Sequence, residues 1–425
     1  METTIKHPDN LFKQKALAWA DTFEVCAVLD SNTYPDVYHQ YDLLIAAGAK
    51  DELNAGCGAA FEALKAFYEK NHSWMFGLLS YDLKNETEAL HSANPDPLGF
   101  PDLYFFIPEY LLAIKGTAVE ILLGPADLLQ QIEKTVLKPV TTAEVQMESS
   151  LTKSEYIQQV KILQEHIIQG DCYEITFCQD FFAKNAKINP LAVFNALSRR
   201  SPSPFGGYFK IRDHYILSAS PERFLCKRGQ QLISQPIKGT AKRSSDSIKD
   251  QQNRQMLKES SKEQAENVMI VDLVRNDLTK SAVPGTVKVA ELFGIYSFPQ
   301  VHQMISTVTC ELNPEIHFID AIKNTFPMGS MTGAPKIKAM QLIEELENSK
   351  RGAFSGSIGY ISPDGNFDFN VMIRTLLYEA STAYLSFKVG SAITYQSNAE
   401  SEYEECLLKA SAMLETLKGL NEQPL

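Results

Sequence analysis

The sequence lacks the features of a nucleic-acid, membrane or disulfide-stapled protein. It has no basic excess: 40 Lys and Arg stand against 52 Asp and Glu, a formal net charge of −12. Gripping phosphates needs a basic face, so no nucleic-acid partner is expected. Long apolar runs are missing too. LLIAAGA from Leu43 is far too short to span a bilayer, so no membrane partner is expected. The N-terminal METTIKHPDN has no apolar core and does not read as a secretory signal. Cysteine is scarce, seven in 425 residues, with no Cys-x-x-Cys and no zinc spacing to histidine. Reduced thiols in a cytoplasmic protein are the expectation. There is no low-complexity segment, and no repeat of roughly 20–50 residues that would signal a solenoid or propeller.

What remains is an ordinary globular composition, 44% hydrophobic and 22% charged, in a chain long enough to bury a large core. The polar, aperiodic stretch Lys138–Lys153 separates an N-terminal region, 1–145, from a larger C-terminal one, 146–425, both expected within one globule. Helical spacing runs from Glu52 to Lys70, and buried strands are predicted from Trp74, Leu103, Ala118 and Ile175. Ser154 is a candidate N-cap for a helix ending at Gly170. Turn signals at Arg212-Asp213, Gly229 and Pro363–Asn366 predict hairpins, and so antiparallel pairing. Helices are predicted over Asp250–Val274, Pro335–Glu347 and Ser401–Lys418. The fold class is α+β: large antiparallel, sandwich-like sheets covered by helices.

Four stretches carry candidate chemistry. Glu263 and Glu266 share one face of a predicted helix; Glu402 and Glu405 do the same on another, with Lys409 one turn on. Such pairs either lie on solvated faces or hold a hard dication, Mg²⁺ being the best suited. FPMGSMTGAPK is a Gly-containing loop running into a helix, suited to an anionic oxygen but failing the P-loop pattern; a plain turn is the alternative. Lys238 stands at a strand end before Gly239; exposed it does nothing, buried it could serve as a nucleophile. Arg374, in a predicted strand, is costly to bury unless an acid or a ligand carboxylate pairs with it.

SASPERFL, QPIKGT, EQAENVMIVDLVRNDL, FPMGSMTGAPK, GSIGYISPDGN, the IRT at Arg374 and EYEECLLK together resemble the chorismate-utilising enzyme family, and within it the aminodeoxychorismate-forming branch. The resemblance implies an N-terminal region like that of anthranilate synthase component I over 1–145 and a chorismate-binding catalytic region over 146–425. It implies Mg²⁺ on Glu266 and Glu405, with Glu263 and Glu402 holding its waters. Arg374, Tyr360 and Lys409 match residues that engage substrate carboxylates, and Gly390, Ser391 and Ala392 match the loop that receives them. Gly239, Thr240, His302 and Ser330 match groups lining the substrate. Glu222 matches a general acid for the departing ring hydroxyl.

Two positions bear on the reaction within the family. Gln179 stands where water-activating relatives are expected to carry lysine, which disfavours a water nucleophile. Anthranilate synthases typically have alanine where this chain has Lys238. In the aminodeoxychorismate branch that lysine attacks C2 as the C4 hydroxyl leaves, and ammonia then attacks C4 and expels it. Two departures are expected to affect affinity more than chemistry: Gly390-Ser391-Ala392 in place of a glycine-richer loop, and Cys406 beside Glu405. With no Gly-x-Cys-x-Gly motif, ammonia is expected from a separate glutamine amidotransferase subunit, and the pathway implied is p-aminobenzoate and folate synthesis. Anthranilate synthase component I and a non-catalytic binding subunit are the competing readings.

Overall fold

The turn signals of the C-terminal part do close hairpins. Phe205–Ile211 pairs with His214–Ser220 around Arg212-Asp213, and Arg223–Arg228 pairs with Gln231–Gln235 around Gly229. Ser357–Ile361 and Phe367–Asn370 meet across the Pro363–Asn366 turn. The computed structural model describes residues 4–6 and 10–423; residues 1–3 and 7–9, inside the stretch read for a leader, lie outside the described residues.

Two layers of one continuous antiparallel sheet follow. In the first, hydrogen bonds connect Leu43–Ala55, Val25–Asp30, Phe205–Ile211, His214–Ser220, Thr375–Glu379, Tyr384–Thr394 and Glu174–Ala183 in that order. The second runs Met75–Leu79, Ser357–Ile361, Phe367–Asn370, Arg223–Arg228, Gln231–Gln235 and Val301–Glu311. Val301–Glu311 also carries Ile237–Lys242 and Lys288–Ser297. The long strand Leu103–Lys115 belongs to both, pairing with Leu43–Ala55 on one edge and Met75–Leu79 on the other.

The layers pack face to face. A Cβ on Gly207 of the first would come within 2.6 Å of Ile358 of the second, so glycine is what lets them approach. Phe209, Ile216 and Leu377 meet Leu225, Ile358 and Phe369 in the cluster between them. A second cluster fills the outer side of the first layer under the helices Lys153–Ile168, Pro190–Arg200 and Ala399–Thr416. This is the α+β, sandwich-like arrangement expected. Among the described residues no helix is long and apolar enough to cross a membrane.

Element ends shift for local reasons. Glu52–Ala55 completes a strand, and the helix behind it is Ala60–Asn71. Thr152, not Ser154, caps the helix Lys153–Ile168, because its hydroxyl and Glu155 form a reciprocal capping box. The helix expected over Asp250–Val274 is two, Ser247–Glu259 and Ser261–Thr279; Ser260 leaves helical geometry and caps the second through the Glu263 amide. Pro335 caps the helix Lys336–Leu346 instead of opening it.

Candidate active site

Lys238 lies where four segments meet. Its strand, Ile237–Lys242, is bulged between Ile237 and Thr240, which lets the chain turn toward the helix Ser261–Thr279. Gly239 sits at φ +92°, and a Cβ there would lie 2.9 Å from Glu263 Oε2, so only glycine allows this approach. On the other side, Gly333 crosses the start of Glu174–Ala183 so closely that a Cβ would stand 2.2 Å from the Glu174 carbonyl oxygen. The Gly-rich loop is therefore a close-packing device. Its helix-side residue Lys336 is buried on Asp277 and donates to the Pro327 carbonyl at 2.8 Å.

Lys238 is largely buried, its side chain 10% exposed, with Nζ 2.5 Å from Glu174 Oε1. Glu174 is 0% exposed, and among the described residues its other oxygen, Oε2, has no hydrogen-bond partner. Burial pulls the Lys238 pKa down, but Glu174, Glu266 and Glu222 outweigh it and hold the ammonium above its ordinary value. Glu222, also buried, behaves oppositely. Burial pushes its pKa up to about 7 against the Ser330 hydroxyl, the Ile237 amide and Lys238. The Ser330 hydroxyl makes no hydrogen bond of regular geometry, while Thr176 Oγ1 donates to the Ser330 carbonyl at 3.0 Å. A lysine and a proton-bearing carboxyl thus share one buried locus, an arrangement able to combine nucleophilic and acid catalysis.

Arg374 is not in a strand. It occupies a bend before Thr375–Glu379 at φ +50°, in a segment tied to Glu222 by the Val371 amide donating to the Glu222 carbonyl at 3.0 Å. Among the described residues its guanidinium has no hydrogen-bond or ion-pair partner, and burial pulls its pKa down. A half-buried guanidinium with no partner is placed to take a ligand carboxylate.

The two acidic pairs do converge. Glu266 and Glu402 are buried, Glu263 is half-buried and Glu405 is the most open. Lys262 reaches between them, 3.8 Å from Glu266 and 3.9 Å from Glu402. Burial pushes Glu263, Glu266 and Glu402 above ordinary carboxylate values, Glu266 to about 7. Lys409, at 2.7 Å, holds Glu405 below its own. Among the described residues no three His, Cys, Asp or Glu side chains are assembled as a metal cage. The donors are nonetheless all hard oxygens, and Glu266 Oε1 is buried without a hydrogen-bond partner. A dication that takes one or two carboxylates and keeps its waters fits this set.

Other expected residues divide between two faces. Gly390, Ser391 and Ala392 lie in the strand Tyr384–Thr394, not in a loop. Gly390 pairs with Cys178, and a Cβ there would be 2.4 Å from Cys178 Sγ. Lys409 Nζ donates to the Gly390 carbonyl at 2.9 Å. Ser391 turns the other way, its hydroxyl 3.4 Å from the Glu402 carbonyl, so the crowding expected from this side chain does not arise. Gln179 requires a correction. Strand alternation sends it to the face opposite Glu174, where Nε2 donates to Cys406 Sγ at 3.3 Å and Oε1 accepts from Ser149 at 3.1 Å. It is thus tied up away from Lys238, and the argument it supplied against a water nucleophile lapses.

Tyr360 is likewise displaced: it packs on Trp74 and Phe76 and lines a separate cavity with Ser31, Arg223 and Asp368. Its hydroxyl donates to Gln40 at 3.3 Å. His302 is buried between Ser297 (2.8 Å) and Asp250 (3.2 Å), and Thr240 is exposed. Sequence reasoning passed over Glu174 and Lys262. The signal for Glu174 was available: a carboxylate opening the apolar run EITFC carries the same burial cost that singled out Arg374.

The chain is similar to known proteins over most of its length. A profile for chorismate binding enzymes matches residues 25–415. Aminodeoxychorismate synthase component 1 of Salmonella typhimurium is 36% identical over 349 residues, covering 81% of this chain and 76% of that protein. Anthranilate synthase component 1 of Thermus thermophilus is 32% identical over 357 residues, covering 80% and 77%. Among solved structures, anthranilate synthase component I from Streptococcus pneumoniae superimposes with a TM-score of 0.78 at 25% identity, covering 90% of this chain and 93% of that one. The menaquinone-specific isochorismate synthase of Escherichia coli shares the fold at a TM-score of 0.76 and 19% identity, covering 98% and 94%.

Proposed function

Because the chain belongs to the chorismate binding enzyme family, we propose that it aminates chorismate at C4, giving 4-amino-4-deoxychorismate for p-aminobenzoate and folate synthesis. The observation that carries this reading is the buried Lys238, ion-paired at 2.5 Å beside a carboxyl whose pKa is near 7. An alanine at this position would leave direct attack of ammonia on C2 as the available route. With lysine, the amine forms the C2–N bond while the ring double bonds shift and the C4–O bond breaks. Glu222 gives its proton to the departing oxygen, which leaves as water. Ammonia then forms the C4–N bond, the shift reverses, and Lys238 departs as an amine; the proton shed by the new C4 ammonium returns to Glu222. The balance is chorismate plus ammonia to product plus water.

Arg374 binds a substrate carboxylate in this reading, and Lys409 steadies the strand at Gly390. Glu266 and Glu405 would hold Mg²⁺, with Glu263 and Glu402 on its waters, and the ion would supply charge neutralisation for a second carboxylate. Lys262 stands between these acids without it. The name component 1 on the relatives supports a second component, and a glutamine amidotransferase subunit is the ammonia source proposed. Ammonium salt substitutes for that partner in a test. Incubated with chorismate, Mg²⁺ and ammonium, the chain is expected to yield 4-amino-4-deoxychorismate by mass spectrometry and NMR. Anthranilate as the main product, read by its fluorescence, would overturn the assignment.

A further inference from the structure

We infer that Glu174 is the proton acceptor that converts Lys238 from a resting ammonium into the free amine. This rests on the reading of Lys238 as nucleophile and adds the group that makes it one. An amine attacks only when neutral, yet Lys238 is enclosed by acids that keep it charged. Glu174 faces it at 2.5 Å from the strand Glu174–Ala183. Glu222 acts on it from the turn before Arg223–Arg228, and Glu266, Glu263 and Glu405 act from the two acidic helices. Some group must take the proton within the closed site.

Among the described residues, only Glu174 is within hydrogen-bond reach of Nζ. Glu222 is unsuited, because it must keep its own proton for the leaving oxygen. Glu174 is suited for the opposite reason: it is fully buried, and among the described residues no group donates to its Oε2. The step is one proton, from Nζ of Lys238 to Oε1 of Glu174, leaving a neutral amine and a neutral carboxyl. When Lys238 is released at C2 as an amine, the same proton returns and the ion pair re-forms. Two buried carboxyls flanking one lysine therefore act in opposite senses, one holding a proton to give and one holding a site to receive.

The test compares Glu174→Gln, Glu174→Asp and Lys238→Ala with the unaltered chain, using chorismate, Mg²⁺ and ammonium across pH 6 to 10. Glutamine keeps the size and a hydrogen bond to Nζ but accepts no proton. Glu174→Gln is expected to lower kcat about 10²-fold or more near neutral pH and to move the acidic limb of the rate profile to higher pH. Glu174→Asp is expected to restore part of the rate with the limb unmoved. Glu174→Gln with kcat and profile unchanged, while Lys238→Ala is inactive, would overturn the role of Glu174 alone. Lys238→Ala retaining the C4-amination rate would overturn the nucleophile reading beneath it. A 2-hydroxylated product formed without ammonia, kept in Lys238→Ala and lost in Glu174→Gln, would show that Glu174 serves water and would also overturn the proposal.

Discussion

At the scale of single residues, the site is a set of buried charges whose roles follow from their surroundings. Glu222, with its pKa pushed up to about 7, delivers a proton only below that value. The rate of C–O cleavage is therefore expected to fall as pH rises through about 7. Glu222→Gln should lose about 10²–10⁴-fold in kcat and abolish that alkaline limb, which a pH series on both proteins checks. Lys238 was legible in the sequence because a lysine before glycine at a strand end is either idle or chemical, and family resemblance chose between these. The burial cost of Glu174 was legible from the apolar run it opens, but its pairing with Lys238 was not, because the contact joins residues 64 positions apart. Gln179 was assigned to the wrong face: alternation along a strand is visible in sequence only where polar and apolar residues alternate, and this strand is buried on both sides.

At the scale of elements, glycine decides how closely the segments meet. Gly333→Ala would drive a methyl group into the Glu174 carbonyl. It is expected to cost about 1–3 kcal/mol in urea unfolding and to lower activity, since Ser330 and Glu174 are held apart by the same clash. The acidic helices lead to a second expectation. Glu222, Glu266, Glu263 and Glu402 all have pKa values raised above 4.5 in the folded chain, the first two to about 7. Their stabilising contribution is complete below about 4.5 and is lost as pH rises through about 7, so the metal-free protein should melt lower at pH 8 than at pH 5.5. Saturating Mg²⁺ should raise the pH 8 melting temperature, and a chelator should remove both this gain and the activity. Glu266→Gln with Glu402→Gln should melt alike with and without Mg²⁺. The helices were legible from spacing; their convergence on Lys262 was not, because one acid pair lies more than a hundred residues from the other.

At the scale of the whole molecule, the two layers interleave segments from both ends of the chain. Val25–Asp30 lies between Leu43–Ala55 and Phe205–Ile211, and Met75–Leu79 closes onto Ser357–Ile361. A fragment of residues 146–425 would expose the edges and inner faces those strands cover, so it is expected to resist folding alone. Its circular dichroism and protease sensitivity should resemble those of an unfolded chain. The hairpins, and with them the antiparallel class, were readable from local turn chemistry. The pairings across position 145 were not, because no local signal specifies a partner so distant in sequence. The central claim is that Lys238 forms the bond to C2 before ammonia reaches C4, and covalent trapping tests it most directly. The chain is mixed with chorismate and Mg²⁺ without ammonia, quenched, and mapped by peptide mass spectrometry. The account predicts an adduct of chorismate less one water on the peptide carrying Lys238, discharged when ammonium is added before quenching. No adduct at Lys238, from protein that forms the 4-amino product once ammonium is supplied, would contradict it.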